Sequence, residues 1–374
     1  MRLSGRALRA VALMLVAVLA VAAISIYYLR PWTAIQAGVA TTRTSVVPTR
    51  NFDDRLSNYH FVSTALGWAV ITTYNSLANP VDGNYWVFKT VDAGRHWQRQ
   101  LGGRTARLFL TISSLWFADA NTGYVIGGNP VVLYRTRDGG DHWTQVGLPA
   151  AEVQELQFVD QANGFAVASS PERMHVFATH DGGATWSGLP SPPGNRSFWP
   201  QFRTANEAWS GWLDNRPFAY VSLDGGLTWD RRSLPTPQGL AGPIGTSIDV
   251  APPGPLVFAY VTGSSEQGVE VYSSVDYGET WAPATLPSNP ANGLALVGVD
   301  STDWWVSDDF SLYRTSDAGK SWVQVGTTPP GLRLFKVIDS QHAWGVQGGG
   351  GAGRPMLTSD GGRTWDSRTA PNPL

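Results

Sequence analysis

One segment of the sequence gathers residue types that are well suited to binding another molecule. Residues 194–218 (GNRSFWPQFRTANEAWSGWLDNRPF) contain tryptophans and arginines that do not recur in the repeats described below. Tryptophan and arginine are enriched among the residues that dominate protein–protein affinity. Trp209, in contrast, matches a repeated aromatic position and is predicted to be core. The sequence therefore predicts a partner-binding surface, with packing inside the fold as the alternative, at Arg196, Trp199, Arg203, Trp212 and Arg216.

Other residue types could support catalysis, but their spacing gives little sign of it. Glycoside hydrolysis would need two carboxylates about 5–10 Å apart, and the acidic residues in predicted loops include Glu152, Asp214, Asp303, Asp308 and Asp309. The six histidines show no ligand spacing, and the absence of cysteine excludes disulfides and thiolate ligands. We therefore predict no catalytic residue, no metal and no cofactor, and keep a carbohydrate-active hydrolase or glycan-binding protein as the alternative function.

A turn motif that recurs seven times organises most of the chain. Its pattern is Ser/Thr-x-Asp-x-Gly-x-x-Trp, as in TVDAGRHW over residues 90–97 and TSDGGRTW over residues 358–365. Aspartate in a tight turn accepts hydrogen bonds from backbone N–H groups just downstream, the glycine permits a positive φ, and the tryptophan supplies a large apolar surface. A working catalytic site needs one copy, so seven copies indicate a structural role for Asp92, Asp138, Asp181, Asp224, Asp276, Asp317, Asp360, Trp97, Trp143, Trp186, Trp229, Trp281, Trp322 and Trp365.

Strand-like patterns lie between these motifs and must position them. Most copies follow an element that reads apolar-x-Phe-x-Asp and then Gly-aromatic-x-Val, as in residues 115–127 and 156–167. A third apolar run leads into each motif, and a short fourth strand begins at each motif tryptophan. Four strands in each interval of about 43 residues is the size of a propeller blade. We predict an all-β fold, a seven-bladed β-propeller with four-stranded blades over residues 57–370, followed by a tail at 371–374.

The amino terminus is predicted to be a membrane segment. Residues 1–9 carry three arginines, and residues 10–29 form an uncharged, mostly apolar run, about the length a helix needs to cross a bilayer. The arginine bias predicts a cytoplasmic amino terminus and an extracytoplasmic body. Residues 30–56 are then a linker. A signal peptide cleaved near Ala20–Ala22, giving a secreted protein, is the alternative.

The charge balance argues against nucleic acid as a partner. The whole chain has 27 basic and 29 acidic residues, a net charge of −2. Four of the arginines belong to the amino-terminal segment, at positions 2, 6, 9 and 30, so the body is more acidic than the chain as a whole. A mildly acidic surface disfavours polyanions. The partners expected are the membrane, through the amino-terminal helix, and a protein of the cell envelope, with a glycan as the alternative ligand.

The repeated motif resembles the Asp-box, or bacterial neuraminidase repeat, and the resemblance covers nearly all of residues 57–370. Together with the Phe-x-Asp and Gly-Trp-x-Val elements, the seven-fold count looks most like the photosystem II assembly and stability factor family. That resemblance implies a seven-bladed, extracytoplasmic or lumenal propeller that binds or assembles proteins. The chain is also similar to sialidases in its Asp-boxes, but it lacks their Phe/Tyr-Arg-Ile-Pro motif, and sialidases have six blades. The sequence therefore favours a non-catalytic scaffold.

Overall fold

The computed structural model describes residues 54–75, 82–105, 115–127, 132–150, 153–169, 174–194, 198–238, 244–251, 254–263, 269–287, 295–308, 311–348 and 353–373. Among these residues no helix is long and apolar enough to cross a bilayer. The predicted anchor at 10–29 and most of the linker at 30–56 lie outside the described residues. The first described strand begins at Asp54.

The described chain is built from antiparallel strands, which we group by fours into units one to seven. Units one and two contain β1 Asp54–Phe61, β2 Gly67–Asn75, β3 Asp82–Thr90, β4 Gln98–Thr105, β5 Leu115–Phe117, β6 Gly123–Gly127, β7 Val132–Thr136 and β8 Thr144–Val146. Units three and four contain β9 Val153–Phe158, β10 Gly164–Ser169, β11 Met174–Thr179, β12 Ser187–Leu189, β13 Gln201–Phe202, β14 Ala208–Asp214, β15 Phe218–Ser222 and β16 Asp230–Ser233. Units five to seven contain β17 Ile244–Val250, β18 Val257–Thr262, β19 Val269–Ser274, β20 Ala282–Ala284, β21 Ala295–Gly298, β22 Trp304–Ser307, β23 Ser311–Thr315, β24 Val323–Thr327, β25 Leu332–Val337, β26 Ala343–Gln347, β27 Arg354–Thr358 and β28 Asp366–Ser367.

The all-β prediction is confirmed, and five of the units are separate four-stranded sheets in which each strand pairs with the next. Units four and five differ from the prediction because they share one sheet. The far half of β14 pairs with β17, with Trp212 opposite Thr246 and Asp214 opposite Ile244. The reason is the shortness of β13, which pairs with β14 at only two residues. Buried backbone groups need hydrogen-bond partners, and β17 supplies them where β13 does not reach.

Aromatic stacking between neighbouring units forms much of the core. The aromatic residue near the start of a second strand stacks on the phenylalanine that ends the next unit's first strand. Three such pairs, at ring-centroid distances of 3.4–3.5 Å, are Trp68–Phe117, Tyr124–Phe158 and Phe165–Phe202. Burial of side chains this large is the main favourable contribution to folding. These pairs explain why the Phe-x-Asp and Gly-aromatic elements occur together in the sequence.

The last unit contacts the first through the same kind of stack. Trp344 lies on Phe61 with ring centroids 3.6 Å apart. The Tyr59 hydroxyl donates to the Gly353 carbonyl at 2.8 Å, and the indole N–H of Trp97 donates to the carbonyl of Thr369 at 2.7 Å. These contacts bring the first and last described units together.

Candidate functional site

The seven repeated turns, which we call box turns, share one hydrogen-bond pattern. The hydroxyl of the first residue donates to Asp Oδ1 at 2.6–2.9 Å and accepts from the glycine N–H at 2.8–3.1 Å. The N–H of the residue before tryptophan donates to Asp Oδ1 at 2.8–3.0 Å. The carboxylates are therefore acceptors within their own turns.

The second carboxylate oxygen of each box turn is also occupied. It accepts from a Thr or Ser hydroxyl in five turns, and it contacts the Nδ1 of His96 or His142 in the other two, at 2.5–2.7 Å throughout. Hydrogen bonds to a carboxylate favour its charged form. Hydrogen bonds from the Ser321 hydroxyl, Thr315 hydroxyl and Ser321 N–H lower the pKa of Asp317 to about 2. These aspartates are ionised and have no proton to give at neutral pH.

The loop carboxylates that the structure describes each have a local partner or face solvent. Asp303 pairs with Arg314 at 3.2 Å, Asp308 accepts from the backbone N–H of Ser311, and Asp214 is exposed. Glu152 and Asp309 lie outside the described residues. Within the described ranges, no group of His, Asp or Glu side chains could hold a metal ion.

The structure describes four of the five residues predicted to bind a partner, and they differ in exposure. Trp199 is 41% exposed and Arg216 is exposed. Trp212 is half-buried and packs on the rings of Phe218 and Tyr220. Arg196 lies outside the described residues. Arg203 is not a surface residue, because its side chain is only 5% exposed.

A cleft of about 340 Å³ lies where unit four meets β17. Phe198, which is 45% exposed, and Trp199 line it beside Gly211, and β17 contributes Ser247 and Ile248. The N–H of Phe198 donates to the Gly211 carbonyl at 3.1 Å, and the Ser210 hydroxyl donates to the Phe198 carbonyl at 2.7 Å. The aromatic pair is thus held against a strand while its rings remain accessible.

Two further features fix the shape of the cleft. A Cβ on Gly211 would lie 1.9 Å from the Thr246 carbonyl oxygen and 2.9 Å from the Phe198 ring, so only glycine allows this approach. Trp209, which also lines the cleft, donates its indole N–H to Glu207 at 2.7 Å. Glu207 forms a buried ion pair with Arg203, whose guanidinium also donates to the Leu256 carbonyl at 2.8 Å. Arg203 therefore stabilises the cleft indirectly, through Glu207 and Trp209.

Sequence reasoning identified Trp199 but missed the contribution of β17. Ser247 and Ile248 reach the cleft because β17 pairs with β14. The local sequence of either strand does not predict a pairing between units. One signal was present in the sequence. The interval from Asp224 to Asp276, which contains β17, is 52 residues against 41–46 elsewhere.

Comparisons with known proteins give a distant sequence relative and fold-level neighbours. No known family profile matches the chain. The photosystem II stability/assembly factor HCF136 of Arabidopsis thaliana chloroplasts is 22% identical over 271 residues, which cover 66% of this chain and 64%, less than two thirds, of that protein. A structure described as YCF48 bound to D1 peptide is 17% identical, covers 84% of this chain and 97% of its own, and has a TM-score of 0.49.

A third comparison bears on the fold. The GH74 xyloglucanase of Xanthomonas campestris is 12% identical, covers 90% of this chain and 70% of its own, and has a TM-score of 0.51. At this identity the likeness concerns the fold alone. The four-stranded antiparallel sheets and this neighbour agree on a β-propeller architecture.

Proposed function

We propose that this protein is a non-catalytic, seven-bladed Asp-box propeller that binds another protein of the cell envelope as an assembly scaffold. Units one to seven are its blades, and the contact of Trp344 with Phe61 closes the ring. Residues 10–29 anchor it in the membrane, residues 30–56 form the tether, and the propeller lies outside the cytoplasm. The observation that carries the proposal is the accessible Phe198–Trp199 pair at the cleft between unit four and β17.

The composition of the cleft supports protein binding. Large aromatic side chains at a well-packed, partly enclosed site dominate the affinity of many protein interfaces. Among the described residues, three Phe, Trp or Tyr side chains are exposed, and two of them are Phe198 and Trp199; the third is Tyr277. Neither contributes to the inter-unit stacks, so folding alone gives no reason for their exposure. A partner side chain that fills the cleft would bury both rings.

The sequence relative supports the same class of function. HCF136 is named as a stability and assembly factor, and we extend to this chain only the general role of assisting another protein. The occupied carboxylates of the box turns support the non-catalytic part of the proposal, because each aspartate already accepts hydrogen bonds from its own turn.

Affinity capture of the full-length protein from its own membranes tests the proposal. We expect one dominant membrane protein to be retained in stoichiometric amount, and we expect Trp199→Ala to reduce its recovery at least tenfold. Truncating a large aromatic side chain at the centre of an interface typically costs about 2 kcal/mol or more of binding free energy. A reduction of that size follows from the loss of the Trp199 ring.

Val323→Ala is the matched control, because Val323 is 66% exposed and lies on β24 of unit six, away from the cleft. This variant should retain the partner at the wild-type level. The proposal fails if no protein is retained above background, or if both variants recover the partner equally. Retention of a glycan in place of a protein would favour the carbohydrate-binding alternative.

A further inference from the structure

The box turns of units four and five expose four apolar side chains. Their exposed fractions are 49% for Leu223, 58% for Leu227, 49% for Val275 and 43% for Tyr277. The corresponding positions of the other turns carry mostly polar, charged or small residues, with Val91 of unit one as the exception. Two consecutive units therefore present apolar residues where the repeat does not require them. We call these four residues the box-turn patch.

Tyr277 occupies its position at a cost in backbone strain. Its φ is +59°; the same position of the repeat is glycine in four units, with φ between +70° and +77°, and alanine in units one and six, with φ of +62° and +59°. A side chain in this left-handed region is disfavoured by a steric clash of Cβ with the backbone. Among the described residues the Tyr277 ring has no aromatic partner and its hydroxyl no hydrogen-bond partner. Because Ala93 and Ala318 share this conformation, Tyr277 differs from them in the large, exposed side chain that it carries there.

The last strand of unit four contacts the box turn of unit five. Arg232 follows the box turn of unit four on β16, and its Nε donates to the Tyr277 carbonyl at 3.0 Å. The same guanidinium pairs with Glu279 of the unit-five turn at 3.0 Å. A Cβ on Gly278 would lie 3.0 Å from the Arg232 side chain. Arg232 thus joins the last strand of unit four to the turn of unit five that carries Val275 and Tyr277.

The charges around the patch are mainly negative. The carboxylates of Asp224, Asp230, Asp276 and Glu279 belong to these two turns and to β16. Hydrogen bonds lower the pKa of Asp224 and that of Asp276. Two guanidiniums oppose them: Arg232 is already paired, and Arg231 lies over the Phe218 ring at 3.9 Å. A partner suited to this surface carries apolar side chains with lysine or arginine beside them.

We propose that the box-turn patch is a second docking surface, which takes a cationic, apolar segment of another protein. Exposed apolar residues rimmed by charge are characteristic of interaction sites, and complementary charge steers the encounter and sets the specificity. An anionic lipid surface does not fit, because the surrounding carboxylates repel it. The inference does not depend on the Phe198–Trp199 cleft, because the two surfaces share no residue.

Site-specific photocrosslinking in the native membrane tests this assignment. The full-length protein carries Tyr277→p-benzoylphenylalanine, and the crosslinked peptide is identified by mass spectrometry. We expect an adduct with a protein segment in which apolar residues alternate with Lys or Arg. The soluble hexapeptide acetyl-Leu-Lys-Leu-Lys-Leu-Lys-amide should reduce the adduct at least fivefold, and the corresponding Leu-Glu peptide at the same concentration should not.

Val91→p-benzoylphenylalanine is the matched control, because Val91 is an exposed apolar residue in the unit-one box turn. It should give less than one tenth of the Tyr277 adduct. Adducts with lipid, with a second copy of this chain or with an acidic segment would overturn the proposal, as would no adduct or equal yields at both positions. Trp199→Ala should leave the adduct unchanged, so failure of the cleft and failure of the patch give different results.

Discussion

His60 illustrates how the environment of a single residue sets a pH dependence. Its Nε2 lies 2.9 Å from the Phe117 carbonyl oxygen. Because a carbonyl oxygen only accepts, the neutral ring carries its proton on Nε2 and donates it to Phe117. Burial and the positive charge of Lys336 lower the pKa of His60 to about 4. The unfolded chain binds the proton near pH 6.5. Between these values the unfolded state holds more protons than the folded state, and stability falls as the pH falls.

We therefore expect the free energy of unfolding to decrease between pH 6.5 and pH 4, by about 3 kcal/mol at most. Urea denaturation at half-unit steps of pH measures this decrease. His60→Gln, which removes the titrating group, should flatten the curve in that window. Val323→Ala, at an exposed residue of β24, should leave the slope as in the wild type. An unchanged slope in His60→Gln would contradict the assignment.

Arg203 and Trp199 show what the sequence could predict of the candidate site at the residue scale. Both stood out as residues that the repeat does not explain, and the structure exposes one and buries the other. The difference is set by Glu207, which pairs with Arg203 and also accepts from Trp209. Composition identified the segment, but the direction of each side chain depends on partners that only the folded chain brings close.

The box turn is the element that the sequence described most completely. The residue types predicted its internal hydrogen bonds, and the structure adds a contact between elements. In six of the seven turns, the backbone N–H after the aspartate donates to a carbonyl in the turn between the first two strands of the same unit, as Gly182 does to Ala162 at 2.8 Å. Each of these six box turns therefore ties the third strand of its unit to the first two.

Asp181→Ala tests the contribution of one such turn. The substitution removes three acceptor contacts, from the Thr179 hydroxyl, the Thr185 N–H and the Thr185 hydroxyl. We expect the free energy of unfolding to drop by about 2 kcal/mol, because each net hydrogen bond contributes roughly 0.5–1.5 kcal/mol. Asp141→Ala, at an exposed aspartate of the unit-two turn, should change it by less than about 0.5 kcal/mol.

Equilibrium denaturation in urea provides the measurement for both variants. Equal effects of the two substitutions would contradict the structural role of Asp181. A loss of partner capture with unchanged stability would instead assign Asp181 to a binding surface. Partner capture should persist in both variants if the box-turn carboxylates act only within their own turns.

At the scale of the element, the sequence missed the pairing of β14 with β17. Repeat spacing predicted four strands per unit, and it correctly located most of them. It could not show that β13 is only two residues long, because apolar patterning does not report where a strand stops pairing. The register between units depends on strand lengths and loop paths. In unit four both differ from those of the other units, as the two-residue β13 shows.

At the scale of the whole molecule, the contact between the first and last units bears on whether the chain forms a closed ring. Phe61 is 1% exposed and stacks on Trp344, while Phe158 is 3% exposed and stacks on Tyr124 within the array. A closed ring makes these two stacks equivalent. Phe61→Ala and Phe158→Ala should then each cost about 3–5 kcal/mol, the usual range for removing a buried phenylalanine.

Thermal unfolding of the two variants beside the wild type checks this prediction. Similar reductions in the midpoint would support closure in solution. A much smaller reduction for Phe61→Ala would mean that the ends separate, and the ring would then be open. Phe198→Ala, at an exposed ring outside these stacks, is the control and should change the midpoint little.

The shared sheet of units four and five has a consequence for the entropy of binding. Among the described strands this is the junction where neighbouring units are joined by backbone hydrogen bonds as well as by side chains. Small rotations of one unit against the next are therefore most restricted there. When a ligand orders a mobile surface, the entropy lost in that ordering lowers the binding affinity. The cleft lies at this junction, so it is held in one shape before a partner arrives.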